Sequence, residues 1–400
     1  APFVMLLLTV PVLDYTLRPS RPHTPSHRHR AGSRAVAMTT SMTSASSSSA
    51  FADKKAKLIE GLKREYASFF SPMEMELYDG QVEFDDPMIS FSGADKFKAN
   101  VDMLSGGNAI GNILFDDCGL VMHNCTEDSE RALTTRWTLQ FRFKLLPWKP
   151  LAQFTGVSKY TLDADARVVR QQDYWDSVNL QPGGGYAAKP KLAGFQDLLA
   201  QLKPAEAQAQ AASSRELPYQ LLRRAGEYEI RRYPLFVAAS VEYEKRGDGL
   251  GTLSSYTSGA NEAGEENLKP YVPSLMSIPS GEWDEFRETT KLAATKVMRW
   301  PMAVPALGQP SPPKPGGRIE GYAQLDVVSS VVVAVRSFSE PTTEPIVRGN
   351  VAMLRRDLRR DGLEPGGSVD EEFRLAQFDA LNSLQARRSE VWVTLDDHLW

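Results

Sequence analysis

A chain of 400 residues is long enough for two domains of ordinary size, each with its own core. Its 46 Lys and Arg against 50 Asp and Glu leave a formal net charge of −4, which argues against a general nucleic-acid binder. Cys118 and Cys125 are the only cysteines, so a disulfide scaffold and a four-cysteine zinc site are excluded. They are expected to be two buried, inert thiols, the alternative being one redox-sensitive pair.

Residues 1–50 are expected to lie outside the fold. The mostly apolar run Phe3–Leu13, interrupted by Thr9 and Pro11, is shorter than the roughly 20 residues that span a bilayer. Arg18, Arg21, Arg28, Arg30 and Arg34 follow among prolines, serines and histidines, with Asp14 the sole acid before Asp53. An Arg- and Ser-rich, acid-poor leader has the composition of an organelle transit peptide, and Val36-Ala37 ahead of Met38 suits a stromal cleavage site. The alternative is a disordered tail without an address. His23, His27 and His29 belong to this leader and are not read as metal ligands. No later stretch is apolar enough to cross a membrane.

Ser41–Ala50 reads as flexible by composition. Leu58, Leu62, Tyr66 and Phe69 then recur at helical spacing. Val82–Gly93 gives strand-like pieces broken at Asp86-Pro87, and Gly93 leads into a short helix carrying Phe97, Val101 and Leu104. Leu133–Phe143 is the clearest strand, with Leu133, Thr135, Trp137, Leu139, Phe141 and Phe143 on one face. Leu151–Leu162 and Val168–Trp175 follow as strands, joined by a turn at Asp163–Ala166. Helices followed by long antiparallel strands predict an α+β domain over 53–182, its helices packed on one face of a curved sheet. Gly183-Gly184-Gly185, a short helix over Leu192–Leu202 and an Ala/Gln-rich stretch make 183–214 a linker.

The second domain is placed at 215–400. Tyr228–Tyr233 largely alternates apolar and charged side chains up to Pro234 and is expected to pair with a strand at Leu235–Tyr243. A serine-rich helix over Leu250–Ser258, a proline- and glycine-dense loop at Gln309–Gly317 and a β-branched strand in Asp326–Phe338 follow. Pro345 can open a helix whose buried stripe is Val347, Val351, Leu354 and Leu358. Arg348, Arg355, Arg356, Arg359 and Arg360 would lie on its exposed side, and Gly362 would end it.

Four stretches carry a resemblance: LPYQLLRRAGEYEIRRYP (Leu217–Pro234), GTLSSYTSGAN (Gly251–Asn261), MRWPMAVP (Met298–Pro305) and RRSEVWVTL (Arg387–Leu395). In that order they resemble the SOUL haem-binding family over about residues 215–396. The FDDP tetrad at Phe84–Pro87, Arg136-Trp137 with Pro147-Trp148, Gly156–Asp163 and Asp173–Ser177 resemble a second domain over about 55–182. That domain, of unknown function, often precedes a SOUL domain in algae and plants and looks like the cone fold of the nuclear-transport-factor-2-like group. The resemblances imply an α+β cone followed by a distorted antiparallel barrel flanked by two helices, with tetrapyrrole binding in a hydrophobic groove. Pro273-Ser274, where the family usually has a methionine-threonine-proline turn, and the acidic insertion Glu262–Glu266 depart from the pattern.

The residues offer little covalent chemistry. No nucleophile elbow, phosphate-binding glycine loop, HExxH pair or calcium loop is present. Past the leader only His123 and His398 remain, and His123 with two cysteines leaves a zinc site one ligand short, so no metal site is expected. Asp85, Asp86 and Asp173 are the carboxylates a cone cavity would use. Haem iron would want a histidine, and none lies between Leu217 and Asp397; Met276, Met298 and Met302 are soft alternatives or simply core. Burying roughly 400 Å² of porphyrin gives about 10 kcal/mol gross, against an association cost on the order of 4–15 kcal/mol. Carboxylate contacts therefore decide the affinity, and Arg232 and Arg299, beside Tyr233 and Trp300, are placed in sequence to make them. Leu253 and Tyr256, with Met298 and Met302, complete the groove that the resemblance implies. The expected function is a non-enzymatic tetrapyrrole (haem or porphyrin) carrier of the plastid. Two alternatives stand: a cofactor-free scaffold peripheral to plastid lipid bodies (plastoglobules) or thylakoids, using the arginine helix face, and an enzyme using the first cavity.

Overall fold

The computed structural model describes residues 40–105, 109–204, 215–284, 289–316, 323–378 and 388–395, with backbone alone at 40–48, 282–284 and 289–290. The leader residues 1–39 and His398 lie outside them. By its contacts the chain divides into Ala1–Ser49 and Ala50–Trp400.

Helix α1 spans Thr40–Ala67 and buries Leu58, Leu62 and Tyr66. It runs back through the Ser/Thr/Ala stretch expected to be flexible, which contains neither glycine nor proline to break it. Strands β1 (Tyr78–Asp85) and β2 (Ser90–Ser92) form an antiparallel hairpin. Asp86 makes its turn: one carboxylate oxygen accepts the N–H groups of Met88 and Ile89 at 2.6 and 2.7 Å. Helices α2 (Ala94–Leu104) and α3 (Ala109–Leu114) lead into β3 (Phe115–Ser129), β4 (Ala132–Phe143), β5 (Leu151–Leu162) and β6 (Val168–Trp175). The sheet order is β2-β1-β6-β5-β4-β3; β1 runs parallel to β6, and the other pairs are antiparallel. Strand β3 escapes sequence reading because register shifts at three places spoil its period of two, and its edge position leaves most of it partly exposed.

After β6 come α4 (Asp176–Asn179) and α5 (Leu192–Gln201), then a second sheet. Its strands are β7 (Gln220–Arg224), β8 (Glu229–Tyr233), β9 (Phe236–Tyr243), β10 (Ser274–Ile278), β13 (Lys296–Ala303), β14 (Gln324–Val328), β15 (Val331–Phe338), β16 (Phe373–Gln377) and β17 (Ser389–Thr394). A separate hairpin is formed by β11 (Gly281–Asp284) and β12 (Thr289–Leu292), and the flanking helices are α6 (Arg246–Thr257) and α7 (Glu344–Arg360). The order is β14-β9-β13-β10-β16-β17-β15-β8-β7.

Strands β8 and β9 therefore do not pair, contrary to expectation: β8 ladders with β15 and β7, and β9 with β13 and β14. They stand six places apart, about 29 Å in a flat sheet, yet only Pro234 and Leu235 join them, a span of at most about 11 Å. The sheet has to roll until β8 and β9 come within that reach, which makes it a distorted, open barrel whose β14 and β7 edges share no ladder among the described residues. Alternation then sorts the side chains. Ile230, Val241, Met276, Met298, Ala334, Leu375 and Val391 face outward under α6 and α7, where Leu253, Tyr256, Val351 and Leu354 meet them. Tyr233, Phe236, Leu275, Val333, Val335 and Trp392 fill the inside.

The two sheets are sewn together. Thr138 donates to the Leu221 carbonyl at 2.7 Å, Arg136 to that of Leu222 at 3.0 Å, and the Arg224 amide to Thr155 at 2.7 Å. Arg136 and Thr138, on the face of β4 opposite Leu133 and Trp137, are buried for this reason. Gly183, at φ 84°, donates to the Arg360 carbonyl at the end of α7 at 2.7 Å, so the glycine run placed in the linker is a packed contact.

Candidate functional sites

A half-open cavity of about 80 Å³ lies against the first sheet. Phe70, Phe84, Phe97 and Trp137 supply aromatic walls, and Asp173 and Gln171 of β6 reach it from one side. Buried hydroxyls stand behind them: the Tyr66 hydroxyl lies 2.9 Å from that of Tyr160 and 3.0 Å from that of Thr135, and the Trp137 indole donates to Ser158 at 2.8 Å. Burial pushes the Asp173 carboxyl up to about 7, against hydrogen bonds from Ser158 and Gln171 that favour its charge. Of the three expected carboxylates only Asp173 lines this cavity. Asp85 pairs with Lys191 and accepts from Ser90 at 2.5 Å; burial would raise it, but Lys191 and Ser90 together hold it below the ordinary range. Asp86 serves its turn, and burial pushes it up to about 6.

Glu65, unmarked in the sequence, is the other buried carboxyl of this region. It accepts from the Tyr78 hydroxyl at 2.6 Å and the Glu74 amide at 2.7 Å, yet burial still pushes it up to about 7. A carboxyl raised in the folded state favours folding below the unfolded value and costs stability as pH rises through about 4.5 to 7. The wild type is therefore expected to lose up to about 3 kcal/mol on this account between pH 5 and 8, with Asp173 acting in the same direction. Glu65→Gln should gain on the wild type in Tm as the pH is raised. A Tm difference between the two that is the same at pH 5 and pH 8 would refute this.

In the second sheet, an opening of about 290 Å³ lies between the first turns of α6 and α7. Met276, Val347, Phe373 and Leu375 form its apolar floor, and Arg246, Lys296 and Arg348 stand around it together with one acid, Glu344. Lys296 sits over the Tyr243 ring at 5.1 Å, Arg246 bonds Gln377, and Arg348 contacts Glu344 at 2.9 Å and Glu372 at 3.4 Å. A floor of this kind suits one edge of a flat apolar macrocycle, and the cations suit its carboxylates. No group of His, Cys, Asp and Glu able to hold a metal occurs among the described residues. The residues thus fit the ring and its acids; the one soft donor on the floor is the Met276 thioether.

The residues expected to form the groove are not gathered in one place. Leu253, Tyr256, Met298 and Met302 are buried core under the helices, with the Tyr256 hydroxyl donating to the Pro313 carbonyl at 2.6 Å. Trp300 packs on the same core and donates to Ser274 at 3.1 Å. Tyr233 is inside the barrel, stacked on Trp392 with ring centroids 4.5 Å apart. Arg299 points to the inner face, where Ser277 at 2.7 Å and Asp326 at 3.2 Å hold it beside a depression of about 480 Å³ shared with Glu371 and Arg374. Arg232, five places away in the sheet order, donates to Gln220 at 3.0 Å. The cations around the α6/α7 opening were missed because Arg246, Lys296 and Arg348 are far apart in sequence; only the β9-β13-β10-β16 adjacency assembles them. The signal available was a basic residue opening two elements, Arg246 and Lys296, and one at the fifth position of α7, Arg348.

His123 is structural. Thr138 donates its single hydroxyl hydrogen to Leu221, so the His123 ring donates from Nε2 to Thr138 at 2.8 Å. Burial, with Arg136 and Arg232 nearby, holds its pKa down at about 4. Cys118 and Cys125 are half-buried free thiols, both pushed up by burial. Seven residues apart on one extended strand, they are separated by roughly 23 Å, too far for a disulfide between them.

Comparison with known proteins gives two family matches. Residues 214–394 match the family described as SOUL heme-binding protein, and residues 56–171 match an uncharacterized conserved protein family (DUF2358). No curated protein matches the chain. Among solved structures, the chain is similar to an NTF2-like protein of unknown function from Exiguobacterium sp. 255-15, at 18% identity and TM-score 0.23 over 29% of this chain and 98% of that one. It is also similar to a steroid delta-isomerase from Pseudomonas aeruginosa, at 15% identity and TM-score 0.24 over 40% of this chain and 95% of that one. A third similarity is to an LEH-like epoxide hydrolase of M. tuberculosis, at 14% identity and TM-score 0.27 over 40% of this chain and 98% of that one.

Proposed function

We propose that this protein, whose residues 214–394 match the SOUL heme-binding family, binds a tetrapyrrole at the opening between α6 and α7 and carries it without transforming it. The observation that supports this most directly is an apolar floor beside Arg246 and Lys296, with Arg348 shared between Glu344 and Glu372 at the rim. One edge of the macrocycle would rest on Met276, Val347, Phe373 and Leu375, and its carboxylates would reach Arg246, Lys296 and Arg348. Haem would bring an iron centre, for which the Met276 thioether is the one soft donor the floor could offer. We place the carrier in the plastid on the composition of residues 1–50.

The scaffold reading has less support. Its arginines are largely engaged on their own helix or the next strand: Arg348 and Arg355 with Glu372, Arg356 and Arg360 with Asp357, and Arg360 also with Asp361. Arg348 and Arg355 are half-buried rather than exposed. A face so neutralised has little charge left for anionic lipid.

Titration of the full chain with haem and with metal-free porphyrin, followed by absorbance, tests the proposal. Both should bind one to one, and Lys296→Glu should weaken each by about tenfold or more, a charge-assisted contact being worth about 1.5–3 kcal/mol. Affinity unchanged in both Lys296→Glu and Arg348→Glu would place the ligand elsewhere. Binding of neither compound at tens of micromolar would sink the tetrapyrrole reading.

A further inference from the structure

The aromatic cavity of the first sheet has unmet hydrogen-bonding demand. Gln171 is only 4% exposed and gives its side-chain N–H to Asp173 at 3.0 Å, but its Oε1 has no hydrogen-bond partner among the described residues. A buried acceptor left in this state costs about 1–3 kcal/mol. Asp173 lies beside it in the same lining and enters no ion pair of the described residues. Two acceptors, one of them a carboxyl, thus meet in an apolar hole without a cation.

The wall is costly in its own right. Phe69 and Phe70 both lie in the left-handed region, at φ 54° and 55°, where bulky side chains are seldom found, and both rings line the cavity. With Phe84, Phe97 and Trp137 they surround the space with π systems, whose negative faces attract cations. We propose that this cavity is a binding site for a small alkylammonium ion, whose N–H groups donate to Gln171 Oε1 and Asp173 while its alkyl groups meet the aromatic wall. A dry cavity of roughly 150 Å³ takes a benzene, so 80 Å³ sets the ligand at about three or four non-hydrogen atoms, the size of ethylammonium or dimethylammonium. A neutral alcohol of that size can fill the space and donate once, but brings no charge for the carboxylate.

The test is a titration of the full chain with ethylammonium chloride and, separately, with isopropanol at matched ionic strength, read by calorimetry and by the Trp137 indole N–H resonance. Ethylammonium should bind with a Kd on the order of a millimolar, the range open to so few atoms. That should be at least tenfold tighter than isopropanol, with the Trp137 resonance shifting in proportion. Asp173→Asn should keep its fold by circular dichroism and lose the preference for the cation, and Gln171→Leu should weaken binding at least threefold. Equal affinity for the two compounds, or a Trp137 resonance that stays fixed at saturation in the wild type, overturns the proposal without recourse to any variant.

Discussion

Asp176→Ala is expected to cost about 3–5 kcal/mol, because it leaves buried guanidinium charge without its counter-charge. The Asp176 side chain has no exposed surface. It meets Arg136 at 2.7 Å and Arg223 at 3.8 Å, and accepts from Thr155 at 2.6 Å and Tyr186 at 2.5 Å. Burial alone would raise its carboxyl, but the two arginines outweigh burial and hold it below the usual range. Since Arg136 belongs to the first sheet and Arg223 to the second, the loss should also loosen their union. Urea denaturation followed by tryptophan emission should show one transition in the wild type and two in Asp176→Ala. A single transition displaced by less than 1 kcal/mol would show that backbone bonds such as Arg224 to Thr155 hold the sheets unaided.

A loss of similar size is expected from Glu390→Ala, inside the barrel. Glu390 is fully buried and receives Arg231 at 3.0 Å, Arg388 at 3.0 Å and the Trp392 indole at 2.8 Å. Alanine there strands Arg231, itself buried and otherwise joined to Glu229 at 2.7 Å, so about 3–5 kcal/mol should be lost. The wild-type carboxyl is held below the ordinary range: burial opposes its charge, but Arg231 and Arg388 outweigh it. A carboxyl so depressed contributes stability above its unfolded pKa and loses it as pH falls. The stability gap between wild type and Glu390→Gln should accordingly narrow below about pH 4. A gap independent of pH would assign the effect to packing around Trp392 instead of charge.

What the sequence disclosed follows from how locally each feature is encoded. The alternation from Leu133 to Phe143, six residues on one face, and the stripe Val347, Val351, Leu354, Leu358 each report one face of one element, and both elements are found within a residue or two of the expected limits. Strand β3 carries three register shifts and shows no period, so it stayed hidden. The β8–β9 pairing was misjudged because a short connection normally signals a hairpin, whereas here it joins two ends of a rolled sheet. The site suffered most. Arg299 and Trp300 are neighbours in sequence but point to opposite faces of β13, while Arg246, Lys296 and Arg348 meet only through strand order. Gln171 and Glu65 gave no signal at all, since what singles them out is burial.

The position of β17 bears on synthesis. Residues 389–394 are the last strand of the second sheet to leave the ribosome, yet they sit at its centre, between β16 and β15. Until they arrive, the sheet exists as two pieces, β14-β9-β13-β10-β16 and β15-β8-β7, each ending in an unpaired edge that invites association. Nearly the whole domain must therefore wait for its last strand, which also brings Glu390 to Arg231 159 residues earlier, and non-local contacts of that kind form slowly. Chains released early would expose both edges at once, and the inner aromatic layer around Tyr233 would lie open without Trp392 to stack on it.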